Sequence, residues 1–450
     1  MSATIVRQKP LMTMPQILLM NLGFFGIQYS FGMQQTAVNP IYQFLGANPE
    51  EMPLLNLAGP ITGLFIQPLI GAISDQTWVP KWGRRRPFLL AGAIGCSVCL
   101  FLFPFVAAVW MAVLLLWILD ASNNTAMEPY RAFISDRLPP SQLAKGFLAQ
   151  SFFTGLGITL ANVSLFIFQQ LLPGAMGNGI PYWVMASFML GTVASLATVL
   201  ISILSTKEIE PSPEELAELQ KNKTTFKSAV TEIWEAIVEM PVQLRKLALV
   251  YLFQWYAMNC YWQYVTLSVA KSAFNTTDSH SAEYEAAVAW TGLVNGAYNV
   301  VTFCVAFGLV SLAKQHGAKY VHMSCLIIAA AGLAFFPHIT NKYLLFVPII
   351  GLGIAWASIM GVPYIMAVRM VPSTRYGVYM GIINMMIVVP MLIQTLTFGS
   401  IYKLLGDEPG NAITFAAVFL AIAGLCMLWI KEPPIVKDVD DLSAPAPAGH

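Results

Sequence analysis

Five polar side chains occur within one stretch of the chain that is otherwise apolar enough to cross a membrane. They are Asp120, Asn123, Asn124, Glu128 and Arg131. A charged side chain at bilayer depth costs about 2.5–3.5 kcal/mol on insertion scales, so it persists mainly where it faces a protein-lined cavity and binds protons, ions or polar solutes. At about 100° per residue, all but Asn123 fall within about 80° of one another on one helix face. Function is therefore expected on this stripe.

The two acids of the stripe are expected to differ in role. Loss of water disfavours the charged form of a carboxyl group and lets it exchange a proton, whereas a nearby cation keeps it charged. Arg131 lies three residues after Glu128, which is the spacing of helical ion pairs. We interpret Asp120 as the proton carrier and Glu128 with Arg131 as a buried pair that fixes the helix. The alternatives are a neutral structural role for Asp120 and a direct role of Glu128 in coupling.

The composition is that of a polytopic membrane protein. Hydrophobic residues make up 57% and charged residues 10% of the 450 residues, whereas soluble domains carry about 25% charged residues. Mean hydropathy is +0.64. The predicted fold class is therefore an all-α membrane protein with twelve transmembrane helices. The segments cover roughly residues 16–38, 54–75, 88–108, 110–134, 146–171, 182–204, 246–269, 286–312, 319–338, 343–367, 377–402 and 411–430.

The distribution of Lys and Arg predicts that both termini are cytoplasmic. One set of loops and tails carries nearly all of these residues, and the opposite loops carry only Lys271, Lys342 and Lys403. By the positive-inside rule the basic side is cytoplasmic. A surface helix is predicted at Thr231–Met240, and the tail is expected to be disordered. The predicted organisation is a cytoplasmic N-terminus (1–15), an N-terminal six-helix bundle (16–204), a cytoplasmic linker (205–244), a C-terminal six-helix bundle (245–430) and a cytoplasmic tail (431–450).

The two halves repeat each other weakly. Glu128-Pro129-Tyr130-Arg131 corresponds to Val362-Pro363-Tyr364-Ile365, so the second copy keeps the proline and tyrosine but lacks the charges. Two six-helix halves related by a parallel repeat are typical of transporters that bind substrate near the membrane midplane. Ion chemistry is expected in the first half only, because the embedded acids lie there.

The loop after the second segment resembles the signature loop of the major facilitator superfamily. It contains Gly71-Ala-Ile-Ser-Asp75 followed by Gly83-Arg84-Arg85-Arg86-Pro87. Over about residues 20–140, the chain also resembles plant sucrose transporters and their animal and bacterial relatives. The residues of this resemblance lie in Gly26–Pro40, Gly59–Pro87 and Leu119–Ala132, and it is thinner in the second half, at Gly353–Tyr364.

This resemblance implies the major facilitator fold of two six-helix halves and a proton-coupled symporter for a maltose- or sucrose-type disaccharide, working by alternating access. It makes Asp120 the counterpart of the acid that the family uses for coupling, whereas Glu128 departs from the plant pattern, which has a small residue there. The expected partners are sugar, proton and membrane lipid, and the expected location is a plasma membrane, specifically a bacterial inner membrane, with the protein as a monomer. A cytoplasmic gate is expected at Asp75, Arg84, Arg85 and Arg86, although the arginines could instead only set the topology.

Sugar recognition requires hydroxyl partners combined with flat apolar surface. Amides that faced lipid would lack partners, so helical faces rich in amides are expected to line a wet interior. Mid-segment Trp356 is expected to stack on a sugar ring. The alternative to sugar binding, for each amide, is a hydrogen bond to another helix with no ligand involved. The predicted sugar-binding residues are Gln28, Gln35, Asn39, Asn123, Asn124, Gln254, Asn259, Trp262, Asn295, Asn299, Trp356 and Asn384.

Other functional classes find little support. The sequence has no zinc pattern, nucleophile elbow or phosphate-binding loop, and its histidines fall at segment ends or in loops, so no enzyme, catalytic residue, metal or cofactor is predicted. The net charge of +1 argues against a nucleic-acid partner. The remaining alternatives are a sodium-coupled symporter, for which Asp120, Asn123 and Asn124 offer oxygen ligands, an uncoupled sugar facilitator, and a solute sensor that does not transport.

Overall fold

The computed structural model describes residues 9–210, 235, 237–371 and 376–431. Within these ranges the chain forms twelve long helices, numbered α1 to α12 in chain order, joined by loops and short helical turns. Each coincides with one predicted segment. Their bounds are α1 Met14–Phe44, α2 Ala58–Gln76, α3 Arg86–Leu102, α4 Val109–Arg137, α5 Pro140–Leu171, α6 Tyr182–Ser205, α7 Val242–Ala273, α8 Ala282–His316, α9 Ala318–Phe335, α10 Phe346–Met370, α11 Tyr376–Leu404 and α12 Pro409–Cys426.

Ten helical stretches in the described ranges are long and apolar enough to cross a membrane, judged by length and composition. The helices α1 and α7 are not among them, although they contain 31 and 32 residues. Amides interrupt both helices, among them Gln28 in α1 and Gln254 and Asn259 in α7. The helices α1 and α7, which lack such an apolar stretch, are therefore helices on which the sequence places faces rich in amides.

Local sequence explains where several helices begin and end. Proline occupies the first turn of α3, α5 and α12, where its missing N–H and fixed φ fit the helix start. The Ser281 side chain caps α8 by accepting from the Tyr284 amide at 3.1 Å. Gly317, with φ of +89°, separates α8 from α9. Pro129 lies inside α4, and the helix continues through it to Arg137.

The chain contacts define two compact units. Unit 1 comprises Met1–Ala47 and Ile61–Thr224. Within it, α1 packs against α5 and α6, and α3 packs against α4 and α6. Gly26 allows α1 to approach α6 closely, since a Cβ at this position would lie 2.5 Å from Ala194 O. In the apolar core, the Tyr130 hydroxyl donates to Met20 O at 2.5 Å and so anchors α4 to α1.

Unit 2 comprises Asn48–Pro60 and Thr225–His450. Its helix α7 packs against α11 and α12, and α9 packs against α10 and α12. This repeats the pattern of unit 1 with six added to each helix number. The loop after α1 also belongs to this unit: the Tyr264 hydroxyl donates to Pro49 O at 3.0 Å, and Lys403 Nζ lies 2.9 Å from Glu50 Oε2.

Several sequence predictions concern residues that the structure does not describe. Half of the predicted surface helix at Thr231–Met240, residues 231–234 and 236, lies outside the described ranges. Residues 1–8 and the tail after Lys431 also lie outside them.

Candidate functional site

Asp120 lies on the buried face of α4 in unit 1 and has 2% of its surface exposed. Among the described residues, its carboxylate receives hydrogen bonds from three other side chains. Gln34 Nε2 of α1 donates to Oδ1 at 2.6 Å, and Asn124 Nδ2 of α4 donates to Oδ2 at 3.0 Å. The Thr62 hydroxyl of α2 also donates to Oδ2. These three donors are neutral, so within the described part of the chain the carboxylate is stabilised by hydrogen bonds from uncharged groups.

A second layer of polar side chains surrounds these donors. Gln67 Nε2 of α2 donates to Asn124 Oδ1 at 2.6 Å, and Asn124 Nδ2 also donates to Thr62 Oγ1 at 3.1 Å. On the other side, Asn123 Nδ2 lies 3.4 Å from Gln34 Oε1, and Cys96 Sγ of α3 donates to Asn123 Oδ1 at 3.0 Å. The network around Asp120 therefore joins α1, α2, α3 and α4.

Three amide and hydroxyl side chains of this network were missed by sequence reasoning. Gln34, Thr62 and Gln67 lie in apolar segments, and a buried polar side chain requires a partner. That rule could have singled them out. Gln35 was selected because it shares a helical arc with Gln28, but its neighbour Gln34 is the residue that reaches Asp120.

Gln28 and Asn39 of α1 are buried, and Gln35 is half-buried. Asn21, on the same arc, donates back to Ile17 O of its own helix at 2.8 Å. The contact that α1 makes with Asp120 comes from Gln34, on the adjacent face of the helix. The stripe of amides on α1 is thus partly enclosed and does not itself form the Asp120 cluster.

Glu128 and Arg131 form the predicted ion pair. Arg131 Nη1 donates to Glu128 Oε1 at 3.0 Å. The side chains are 44% exposed for Arg131 and 30% exposed for Glu128, so the expectation of a buried pair was wrong. The stripe on α4 is enclosed at Asp120 and Asn124 but opens toward the carboxyl end of the helix.

The loop between α2 and α3 is anchored by acids other than Asp75. Arg85 is buried, and its guanidinium donates to Asp136 Oδ2 at 2.8 Å and to Ser74 Oγ at 2.6 Å. Asp75 lies in α2, but its side chain is outside the described part, so its predicted latch with the arginines stays a prediction. Arg86 lies over the Trp82 ring, with Cζ 5.8 Å from the centroid.

Glu208, shortly after α6, is a second anchor of this loop. Its carboxylate accepts from the backbone amides of Arg84, Arg85 and Arg86 at 2.8, 2.8 and 2.9 Å. Gly83 has φ of +90°, and a Cβ there would lie 2.6 Å from Glu208 Cδ. The carboxylate thus occupies the start of α3, where unpaired N–H groups and the helix dipole favour an anion.

In unit 2, the predicted tryptophans lie together. The Trp262 and Trp356 rings are 5.4 Å apart between centroids, and Trp255 lies 5.7 Å from Trp356 and 6.4 Å from Trp262. Two of the contacts are edge-to-face, with interplanar angles of 84° and 75°. Side chains from α7 and α10 therefore form one aromatic cluster, which we call the tryptophan cluster, consisting of Trp255, Trp262 and Trp356.

Several predicted sugar-binding amides of unit 2 bind other protein groups. Asn259 Nδ2 donates to Gln394 Oε1 at 2.5 Å. Asn295 Oδ1 accepts from the Tyr261 hydroxyl at 2.9 Å, and Asn299 Nδ2 donates to Asn295 O at 2.9 Å. The contacts of Asn259 and Asn295 fit the alternative of hydrogen bonds between helices, whereas that of Asn299 lies within α8. Asn384 is half-buried.

Gln254 has a different partner. Its Oε1 lies 3.0 Å from Nε2 of His322, which is buried in α9. The position of His322 near a segment end gave no sign of this burial.

Comparisons with known proteins agree with this architecture. The sequence profile of the Major Facilitator Superfamily matches residues 20–395. Sucrose transport protein SUC4 of Arabidopsis thaliana is 24% identical over an alignment that covers 91% of this chain and 89% of that protein. Sucrose transport protein SUT5 of Oryza sativa subsp. japonica is 25% identical, with 90% and 86% covered.

Solved structures share the fold at low sequence identity. The nucleoside transporter NupG superposes with a TM-score of 0.70 at 13% identity, covering 93% of this chain and 100% of that one. A D-xylose-proton symporter superposes with a TM-score of 0.68 at 16% identity, covering 94% and 98%.

The helical fold and the polar networks inside it define a multi-pass membrane transporter and not an enzyme. The chain belongs to the major facilitator superfamily and has distant similarity to plant sucrose transporters. The predicted fold class and the family resemblance are confirmed.

Proposed function

We propose that this protein is a proton-coupled symporter for a sucrose- or maltose-type disaccharide, working by alternating access, and that Asp120 carries the coupled proton. The similarity to sucrose transport proteins supports the substrate class. The observation that carries the coupling is the burial of Asp120 among neutral donors from three helices.

The donor set suits an acid that changes its protonation state. When Asp120 is ionised, Gln34, Thr62 and Asn124 all donate to it. When it is protonated, its O–H requires an acceptor, which the hydroxyl of Thr62 or the amide oxygen of Gln34 supplies after rotation. Both the ionised and the protonated form are thus hydrogen-bonded without a cation. Burial strengthens the hydrogen bonds of the network to the ionised form, because the local dielectric is low.

The same contacts favour a proton over sodium. A sodium site requires several oxygen atoms that converge on the ion. Here Gln34 and Asn124 direct N–H groups at Oδ1 and Oδ2 of Asp120. Both carboxylate oxygens therefore already accept hydrogen bonds, whereas a sodium ion would need them as ligands. An uncoupled facilitator would have no use for an acid that is costly to bury.

Groups that suit a sugar occur within each unit. Asn123, Asn124 and Gln67 offer both N–H and C=O groups, which match sugar hydroxyls. The tryptophan cluster offers apolar ring surface for the faces of a sugar ring. The proton and the sugar hydroxyls then share one hydrogen-bond network in unit 1, which is how binding of one would affect the other.

The proposal includes the organisation and location of the protein. Two six-helix bundles, 16–204 and 245–430, are joined by a cytoplasmic linker, 205–244. Both termini lie on the cytoplasmic side of a bacterial inner membrane, and the protein works there as a monomer. The excess of Lys and Arg on one set of loops supports this orientation.

Uptake into proteoliposomes tests the function. Labelled sucrose and maltose are offered to vesicles that contain the purified protein, under an imposed pH gradient or an imposed sodium gradient. We expect accumulation with the pH gradient and its loss when a protonophore is added. Accumulation that needs sodium, or that is unaffected by the protonophore, would contradict the proposal.

A further inference from the structure

His322 links three helices in the interior of unit 2. The side chain is fully buried on α9. Its Nε2 lies 3.0 Å from Gln254 Oε1 on α7, and its Nδ1 lies 2.8 Å from Ser358 Oγ on α10. Both ring nitrogens are therefore engaged, and the proposed coupling at Asp120 makes no use of them.

The chemistry of these three groups fixes a direction for the hydrogen bonds. A carbonyl oxygen only accepts, so His322 Nε2 carries the hydrogen and donates to Gln254 Oε1. In a neutral imidazole the other nitrogen then accepts, and Ser358 Oγ is the donor to Nδ1. In this arrangement the Gln254 oxygen accepts from His322, and its NH₂ group is directed away from the histidine.

That NH₂ group is an unused donor. Gln254 has 0% of its surface exposed, and within the described ranges its Nε2 has no hydrogen-bond partner. The same holds for Nε1 of the adjacent Trp255, which is 5% exposed. Native proteins satisfy nearly all buried donors, so two neighbouring buried donors without acceptors require an explanation. A ligand that brings acceptor oxygens supplies one.

The surroundings indicate what kind of ligand this is. Trp255 belongs to the tryptophan cluster, so one of the two unused donors lies on an aromatic side chain of that cluster. Both donors are neutral, which suits the hydroxyl or ring oxygens of an uncharged sugar better than a carboxylate or phosphate, which bind Arg or Lys. Flat apolar surface beside neutral donors is the combination that a sugar ring requires.

We propose that His322 is a positioning residue for sugar recognition: it holds the Gln254 amide so that Gln254 Nε2 and Trp255 Nε1 donate to oxygens of the sugar at the tryptophan cluster. This inference rests on the proposed disaccharide substrate. It adds His322, Ser358 and Trp255 to the residues that determine specificity, and it gives unit 2 a hydrogen-bonding role that its lack of embedded acids had not suggested.

Equilibrium binding tests the inference without any gradient. Labelled sucrose or maltose, whichever the wild-type protein binds, is displaced from purified protein by a panel of monodeoxy analogues. The variants are Gln254→Leu, His322→Leu and His322→Gln, which retains a donor near the Nε2 position. The control is His316→Leu, at an exposed histidine of α8. Thermal unfolding of each variant reports whether it folds.

We expect the wild-type protein to bind at least one deoxy analogue about tenfold more weakly than the parent sugar, the effect of one lost hydrogen bond. Gln254→Leu and His322→Leu should both lose this discrimination for at least one of the analogues that the wild-type protein binds weakly. His322→Gln should recover part of the discrimination, and His316→Leu should retain all of it. A purely structural histidine would change thermal stability without changing the ratio of the two affinities.

Two results would overturn the inference. If folded His322→Leu discriminates among the analogues as the wild-type protein does, His322 does not position Gln254, while the disaccharide function stands. If the wild-type protein binds neither sucrose nor maltose, the proposed function fails and the inference fails with it.

Discussion

At the level of single residues, the acids Asp120 and Glu128 of α4 differ in their partners. Asp120 is buried and accepts hydrogen bonds from Gln34, Thr62 and Asn124. Arg131, the nearest basic residue on the same stripe, pairs with Glu128. In the proposed mechanism, this separation lets Asp120 change its charge while the ion pair of Glu128 and Arg131 keeps its charges.

Removal of one donor should impair coupling. Thr62→Val keeps the shape of the side chain but removes the hydroxyl that donates to Asp120 and accepts from Asn124. A hydrogen bond to a charged group contributes about 1.5–3 kcal/mol, so proton-driven sugar accumulation should fall about tenfold or more. Thr62→Ser retains the hydroxyl and is the matched control. Wild-type accumulation by Thr62→Val in proteoliposomes would show that this contact does not matter.

Glu128→Gln should have little effect on stability. The pair with Arg131 is partly exposed, and exposed ion pairs contribute about 0–1 kcal/mol. Thermal unfolding in detergent should therefore differ little from wild type, and the variant should express normally. A loss of about 3–5 kcal/mol, as expected for a broken buried pair, would mean that the pair is enclosed in the membrane-embedded protein.

The sequence identifies the residues of a site more readily than their partners. The charges of α4 stand out because they are costly in a membrane, and Asp120 could be selected on that ground alone. The choice between Gln34 and Gln35 depends on how α1 is rotated against α4, which one helical arc does not determine. Burial of His322 depends on the packing of α9 against its neighbours, and no local pattern reports it.

At the scale of elements, the start of α3 is held by a residue distant in sequence. Glu208 accepts from three consecutive backbone amides, and Gly83 leaves room for its carboxylate. This contact ties the segment after α6 to the loop between α2 and α3. The family signature draws attention to Asp75, whose latch with the arginines stays a prediction, and it gives no sign of Glu208.

Loss of the Glu208 carboxylate should destabilise the protein. Glu208→Ala leaves three amides at the start of α3 without their acceptor, and loss of a helix cap costs about 0.5–2 kcal/mol. Glu208→Ala should unfold at a lower temperature than the wild-type protein. Glu208→Gln keeps an acceptor but not the charge, so its unfolding temperature should lie between those of Glu208→Ala and the wild type. Gly83→Ala should also destabilise, because a Cβ would meet the Glu208 side chain.

The double variant distinguishes a direct contact from two separate effects. If the methyl group introduced by Gly83→Ala acts by displacing the Glu208 side chain, then Gly83→Ala should lower stability less in the Glu208→Ala background than in the wild type. Simple addition of the two costs would indicate that the methyl acts only through backbone strain at the positive φ of Gly83.

At the scale of the whole molecule, the helix boundaries follow the sequence closely. Long apolar runs determine where α2 to α6 and α8 to α12 lie, because a membrane requires continuous apolar length. The helices α1 and α7 depart from this rule. They carry amides whose partners lie inside the protein, such as Gln254 with His322 and Asn259 with Gln394.

The proposed orientation can be checked with reporter fusions. Green fluorescent protein fused after His450 should fluoresce in a bacterial host, because it matures on the cytoplasmic side, and alkaline phosphatase at the same site should be inactive. The reason is the excess of basic loops on the side that carries the termini. Active phosphatase at this site would place the C-terminus on the opposite side.

The central claim is that Asp120 carries the proton that drives sugar uptake. Asp120→Asn has nearly the size of the protonated acid and removes only its ability to change charge. Proteoliposomes that contain this variant should exchange labelled for unlabelled sugar between equal pools, yet fail to accumulate sugar under a pH gradient. Accumulation by Asp120→Asn at the wild-type level would contradict the claim, above all if Glu128→Gln, with normal expression, could not accumulate sugar.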